Sequence, residues 1–138
     1  MLSFLIFMGI IKQKVTFSAS PHDVYELLMD SKKHAAFTGS EAKIGKKVGD
    51  SFSAYDGWIK GKNVELVKDK KIVQEWWGDD ENWPHGVVSL VTFVFTKVNK
   101  GTKLGFIHLG IPPGWKKDLA DGWEGYYWEK MKRYFEKK

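Results

Sequence analysis

At 138 residues the chain has the length of one domain with room for a sizeable core. An aromatic share of 15%, with seven tryptophans, excludes a disordered chain, and the lack of cysteine excludes a disulfide framework, a thiol nucleophile and a Cys-ligated metal. The net charge of +5 comes from lysine, with Arg133 the sole arginine, so it reads as a solubilising surface in a cytoplasmic protein and not as a groove for planar phosphate recognition.

Met1 to Ile10 are almost all apolar. No positive segment precedes this run and no small-residue cleavage site follows it. It is also far short of the roughly 20 apolar residues of a membrane span. No membrane partner is expected, and residues 1–8 read as an apolar extension, either with Met1 to Phe7 upstream of an alternative start at Met8-Gly9 or as a lengthening of the first strand. Ile11, Val15, Phe17 and Ala19 then share one parity, with Lys12, Lys14, Thr16 and Ser18 on the other, which predicts a half-buried strand. Ser20-Pro21-His22-Asp23 stops it and opens a helix, with Ser20 as cap and Pro21 at the first helical position. Val24, Leu27 and Leu28 form that helix's apolar stripe, and Asp30-Ser31 restarts a second short helix, Lys32 to Phe37, ended by Gly39.

From there to Leu109 the signals are strands and turns. Ala42 and Ile44 mark a second strand, Phe52 to Tyr55 a third closed by the Asp56-Gly57 turn, and Trp58 to Val67 a fourth turned by Lys68-Asp69-Lys70. Ile72 to Trp77 is a fifth. Val87 to Val98 and Thr102 to Leu109 are the longest pair; Val91, Phe93 and Phe95 share one face of the first, and Leu104, Phe106 and His108 share one face of the second. Pro112-Pro113-Gly114 breaks the sheet before a long helix, Asp118 to Lys138, which carries Trp123, Tyr126, Tyr127, Trp128, Tyr134 and Phe135. Gly122 and Gly125 lie on or beside its apolar stripe. Each costs a helix interior roughly 1 kcal/mol against alanine, so something must pack closely there or a hollow must be left open.

The order is strand, two helices, six strands, helix over the single domain 1–138. A seven-stranded antiparallel sheet curls, and one long helix closes its open face. That is an α+β helix-grip fold, the arrangement of the lipid-transfer, birch-pollen-allergen and polyketide-cyclase-like proteins.

Several stretches go further: Ala36-Phe37-Thr38-Gly39-Ser40, Lys47-Val48-Gly49-Asp50-Ser51-Phe52, Tyr55-Asp56-Gly57-Trp58-Ile59-Lys60-Gly61 and Lys71-Ile72-Val73-Gln74-Glu75-Trp76. His108-Leu109-Gly110-Ile111-Pro112 and Gly122-Trp123-Glu124-Gly125-Tyr126-Tyr127 follow in order. From about Ile11 onward the chain resembles the C-terminal domain of the activators of the heat-shock-protein-90 ATPase and their single-domain homologues. The resemblance implies the helix-grip fold, a cavity and a chaperone as a candidate protein partner. The full-length activators also carry an N-terminal domain for which this chain has no room, so little or no ATPase stimulation is expected.

The candidate residues divide into cavity walls and surface groups. His108 shares parity with Leu104 and Phe106 and should point inward, either as a core histidine with internal partners or as a polar anchor for a ligand head group. Trp76 and Trp77 leave their strand on opposite faces, so one is expected to line the cup and the other to offer an outward contact. Trp83-Pro84-His85 gives one rim an aromatic character, as a gate or as a loop anchor. Asp79-Asp80-Glu81 lacks the alternation and glycine of a calcium loop and reads as a solvated turn. The four histidines are scattered without zinc spacing. Glu65 and Glu75 are the candidate bases for a cyclase-like or hydratase-like enzyme. No nucleophile elbow, phosphate loop, dinucleotide fingerprint or basic-aromatic stripe occurs, so neither a catalytic site, a cofactor nor a nucleic-acid partner is expected.

The reading is a non-enzymatic binder of a small hydrophobic molecule, with walls at Phe93, Phe95, Leu104, Phe106, Trp123 and Tyr127 and with His108 as polar anchor. A chaperone-activator-like interaction module and a cyclase-like or hydratase-like enzyme are the alternatives.

Overall fold

A computed structural model describes residues 8–137, and the expectation for Met1–Phe7 lies outside them. The chain runs β1 (Gly9–Phe17), α1 (Pro21–Met29), α2 (Ser31–Thr38), β2 (Lys43–Ile44), β3 (Ser51–Ala54), β4 (Ile59–Val67), β5 (Lys71–Gly78), β6 (Ser89–Val98) and β7 (Gly101–Ile111). A closing helix follows, α3 (Lys116–Gly122) continuing through a π-turn (Trp123–Trp128) into α4 (Glu129–Glu136). Among the described residues the strands form one antiparallel seven-stranded sheet in the order β1-β7-β6-β5-β4-β3-β2. This is the expected helix-grip fold.

The local signals act as read. Ser20 Oγ accepts from the Asp23 N–H at 3.1 Å with Pro21 at the first helical position, Asp30 Oδ2 caps α2 through the Lys33 N–H at 2.9 Å, and Gly39 closes α2 at φ 76°. On β7, Leu104, Phe106 and His108 are all buried, opposite Phe95, Phe93 and Val91 of β6. These inward residues, with Ile11, Val15 and Phe17 of β1, meet the closing helix and α1 to form the core.

Strand β4 departs from simple alternation. Its register against β5 shifts between Asn63 and Glu65, the mark of a bulge, so parity alone misplaces the residues after it. Ahead of the bulge Asn63 keeps the inward parity of Ile59 and Gly61 and is 1% exposed; its side-chain amide donates to the carbonyls of Gly45 at 2.7 Å and Lys47 at 3.1 Å and its Oδ1 accepts from Gln74 Nε2 at 3.0 Å. Beside it, Gly61 admits no side chain, because a Cβ there would sit 2.0 Å from the Glu75 carbonyl and 2.4 Å from the Phe52 ring.

The sequence predicts one continuous helix, but the closing element is interrupted by a π-turn. Positions five apart lie about 140° apart around a regular α-helix, yet Trp123 and Trp128 both face the sheet, at 4% and 2% exposure. The π-turn between them brings the two indoles into a stack, centroids 5.6 Å apart at 20°.

Candidate functional site

Beneath the middle of the closing helix the cup is filled. The Trp123 ring lies 4.4 Å from Phe106 and 6.0 Å from Phe93, and Trp128 lies 5.1 Å from Phe106. Phe95 packs 5.7 Å from Tyr25 of α1, and Leu104 is wholly enclosed. A residual void of about 20 Å³, bordered by Phe93, His34 and Tyr127, has space for no more than a water molecule.

The open space lies to one side. A pocket of about 400 Å³ sits between the helix and the β3–β4 connection. Leu119, Gly122, Trp123 and Tyr127 line it from the helix and Ile59 and Trp76 from the sheet, with Tyr55, Trp58 and the 60% exposed Tyr126 towards its mouth. Of the expected walls, the structure brings only Trp123 and Tyr127 to this pocket. Phe95, Leu104, Phe106 and His108 belong to the packed layer instead, and Phe93 touches only the small void. Parity shows that these five point inward, but it cannot show how far along the helix the packing closes.

His108 has its polar atoms engaged within the protein. The indole N–H of Trp123, a donor only, gives its proton to His108 Nδ1 at 3.1 Å, so Nε2 carries the ring proton and donates to Ser89 Oγ at 2.8 Å. Ser89 Oγ in turn donates to the Trp76 carbonyl at 2.6 Å. Burial without a charged partner pushes the imidazole down to about 3. His34 behaves alike: Nδ1–H donates to the Leu28 carbonyl at 3.1 Å, Nε2 accepts from the Tyr127 hydroxyl at 3.0 Å, and burial lowers its pKa to about 4. Tyr127 is held in its neutral form by burial.

The mouth of the pocket is built by two irregularities that follow no period. Tyr55 and Asp56 both adopt left-handed backbone, φ 50° and 57°, within a 3₁₀ turn over Tyr55–Gly57. Asp56 tolerates it by binding Glu41 twice, N–H to carbonyl at 3.1 Å and carboxylate to N–H at 2.8 Å. Tyr55 is held by its hydroxyl, which donates to the Tyr126 carbonyl within the π-turn, and burial raises its pKa. Tyr55 and Tyr126 therefore span the opening from opposite sides, rings 5.5 Å apart.

Tryptophans pave the adjoining end. Trp58, Trp76, Trp83 and Trp115 form a closed circuit of ring contacts, with centroids 5.3–6.2 Å apart. Trp83 is an anchor for its loop: it is buried and its N–H donates to the Val87 carbonyl at 2.8 Å. Asp80, in the acidic turn, accepts the Trp58 N–H at 3.2 Å, and Asp79 pairs with Lys60 at 3.0 Å. Trp76 is the inward member of its pair, while Trp77 is half-buried on the other face. Glu65 is exposed beside Lys71 at 3.2 Å and, like Glu75, does not line the pocket, so neither candidate base reaches it.

A model of the family described as "Activator of Hsp90 ATPase homolog 1-like protein" matches residues 18–136. The chain belongs to this family. It is 32% identical over 122 residues to the human activator of 90 kDa heat shock protein ATPase homolog 1, covering 88% of this chain and 36% of that protein. The corresponding Dictyostelium discoideum homolog is 37% identical over 120 residues, covering 80% of this chain and 31% of that one. The chain thus spans about a third of the length of the curated relatives it matches. A crystal structure described as an HSP90 activator from Plasmodium falciparum superposes with a TM-score of 0.82 at 27% identity, covering 90% of this chain and 93% of that one. No helix among the described residues is long and apolar enough to cross a membrane.

Proposed function

We propose that this domain is a chaperone-activator-like interaction module, which binds a heat-shock-90-type chaperone and raises its ATPase rate. The observation that carries it is the family membership over residues 18–136. The Plasmodium chain supports activity in a unit of this extent, because this domain covers 93% of a crystallised chain described as an activator. Stimulation is therefore expected, in place of the little or none anticipated from the sequence. The cytoplasm is the proposed compartment, in keeping with the cysteine-free sequence. The test is a steady-state ATPase assay of the chaperone with and without the domain, alongside a direct binding measurement. Binding with a raised rate supports the reading, and neither binding nor a change in rate overturns it.

One observation favours a second role in the same protein. The 400 Å³ pocket falls within the size range of small-molecule sites and is walled mainly by aromatic and aliphatic groups. The hydroxyls of Tyr55 and Tyr127 and the N–H groups of Trp58 and Trp123 are already bonded within the protein, which suits an apolar ligand. Native mass spectrometry of freshly purified protein checks this role through a co-purifying small molecule, and a polarity-sensitive dye should bind with micromolar affinity, about −8 kcal/mol.

A further inference from the structure

The sheet face turned away from the closing helix carries a depression of about 510 Å³ across β1, β7 and β6. Its floor follows from the strand register. Lys14 lies opposite Gly105, which lies opposite Val94, and in the next row Lys12 lies opposite Ile107 and Ile107 opposite Thr92. These six side-chain positions share the outer face, since the residues alternating with them on β7 and β6, Phe106 and Phe93, are buried in the core.

Gly105 has no structural requirement for being glycine. Its backbone is not left-handed, the β6–β7 register runs through it without a shift, and a Cβ built on it meets nothing within 4 Å. Glycine within a strand weakens it, and it marks a bulge, a bend or the close approach of another molecule. No bulge is present here. The apolar groups around the dent are open to solvent: Val94 is 43% exposed and Ile107 37%. Lys12 and Lys14 on the flanking edge strand form no ion pair among the described residues.

We propose that this face is where the chaperone docks, through an apolar side chain seated over Gly105 and flanked by carboxylates that pair with Lys12 and Lys14. This rests on the chaperone reading above. A recess bordered by like charges selects a protruding apolar group within an acidic surface, and such complementarity fixes register and speeds encounter. A lipid bilayer is the poorer fit, because insertion needs apolar groups that project and these line a hollow.

Immobilised chaperone is titrated with the full chain and four variants. Gly105→Val fills the dent with a residue that strands favour, and its thermal melt should be no lower than that of the parent. The double reversal Lys12→Glu/Lys14→Glu tests the rim on surface positions, so the test survives if Gly105→Val folds poorly. The same charge change at Lys68→Glu/Lys70→Glu, and Val48→Ser on a distant exposed site, are the controls. Affinity is expected to fall about tenfold or more for the first two variants, to change little for the controls, and to weaken with salt only where Lys12 and Lys14 remain. Binding by the parent with all variants unchanged overturns this inference and leaves the chaperone reading standing. No binding by the parent overturns both. Capture by anionic vesicles, or self-association, that is lost in the first two variants would reassign the face and overturn the inference.

Discussion

Trp123 and His108 are joined by a hydrogen bond from the indole N–H to Nδ1 at 3.1 Å, which fixes the histidine's tautomer and ties the closing helix to the middle of β7. Replacing His108 with leucine keeps the volume roughly but leaves the Trp123 N–H and the Ser89 hydroxyl without that partner. The expected cost is about 1–3 kcal/mol, mainly for the buried Trp123 N–H, because the Ser89 hydroxyl keeps its bond to the Trp76 carbonyl. Chemical denaturation measures it. Dye affinity in the pocket should be nearly unchanged, because His108 does not line it.

The two buried imidazoles also set an acid limit. His108 and His34 are lowered to about 3 and about 4 in the folded protein, whereas the unfolded chain binds protons at about 6.5. Below 6.5 the unfolded state therefore holds more protons, so stability is fully present above that pH and is lost as pH falls towards 4. Each site contributes a slope of up to about 1.4 kcal/mol per pH unit. Urea midpoints measured from pH 7 to pH 4.5 should fall accordingly, and His34→Gln/His108→Gln should flatten that fall even if it lowers the plateau. An equally steep acid limb in the double variant would show that carboxylates control it.

Gly122 and Gly125 are expected to part company. Gly122 borders the pocket, and a Cβ there meets only the Tyr126 ring at 3.8 Å, so Gly122→Leu should fill the space without straining the helix. Dye affinity should drop by about tenfold, near 1.4 kcal/mol, while the melting temperature holds or rises through the better helix propensity of leucine.

Gly125 does not line the 400 Å³ pocket, and its Cβ would meet nothing within 4 Å. Gly125→Ala should raise stability by about 1 kcal/mol, the ordinary difference between the two residues in a helix. A loss of stability instead would show that the π-turn depends on glycine's freedom at that position.

Tyr55→Phe removes the hydroxyl that reaches the Tyr126 carbonyl. The expected stability change is about 0.5–1.5 kcal/mol. Hydrogen exchange of the amides around Tyr55–Gly57 should rise more than exchange in β6 and β7, because the left-handed turn loses its tether while the sheet keeps its ladder.

The fold was legible because each element carries its own local signal. Alternation in β1, β6 and β7 exposes their inward faces, and Ser20, Asp30 and Gly39 punctuate the helices where their side chains or backbone satisfy the ends. The site was only half legible. Trp123, Tyr127 and the anomalous Gly122 mark the stretch of helix that borders the pocket, but Tyr55, Trp58, Ile59 and Leu119 join it through a left-handed turn and a π-turn that leave no periodic trace. His108 could be placed inside by parity, yet its partners Ser89 and Trp123 are brought to it only by strand register and by the rotation of the helix.

The sheet order has a further consequence for how the protein is made. β1 is the first strand described, and among the described residues its one neighbour in the sheet is β7, the last strand described. As the chain leaves the ribosome, β1 must wait without this backbone partner until the other six strands of the sheet have emerged. Pairings so distant in sequence close slowly, and a waiting strand with free N–H and C=O groups can pair with the wrong chain. Lys12 and Lys14 on that strand, alternating with its buried residues, place charge where such mispairing would begin.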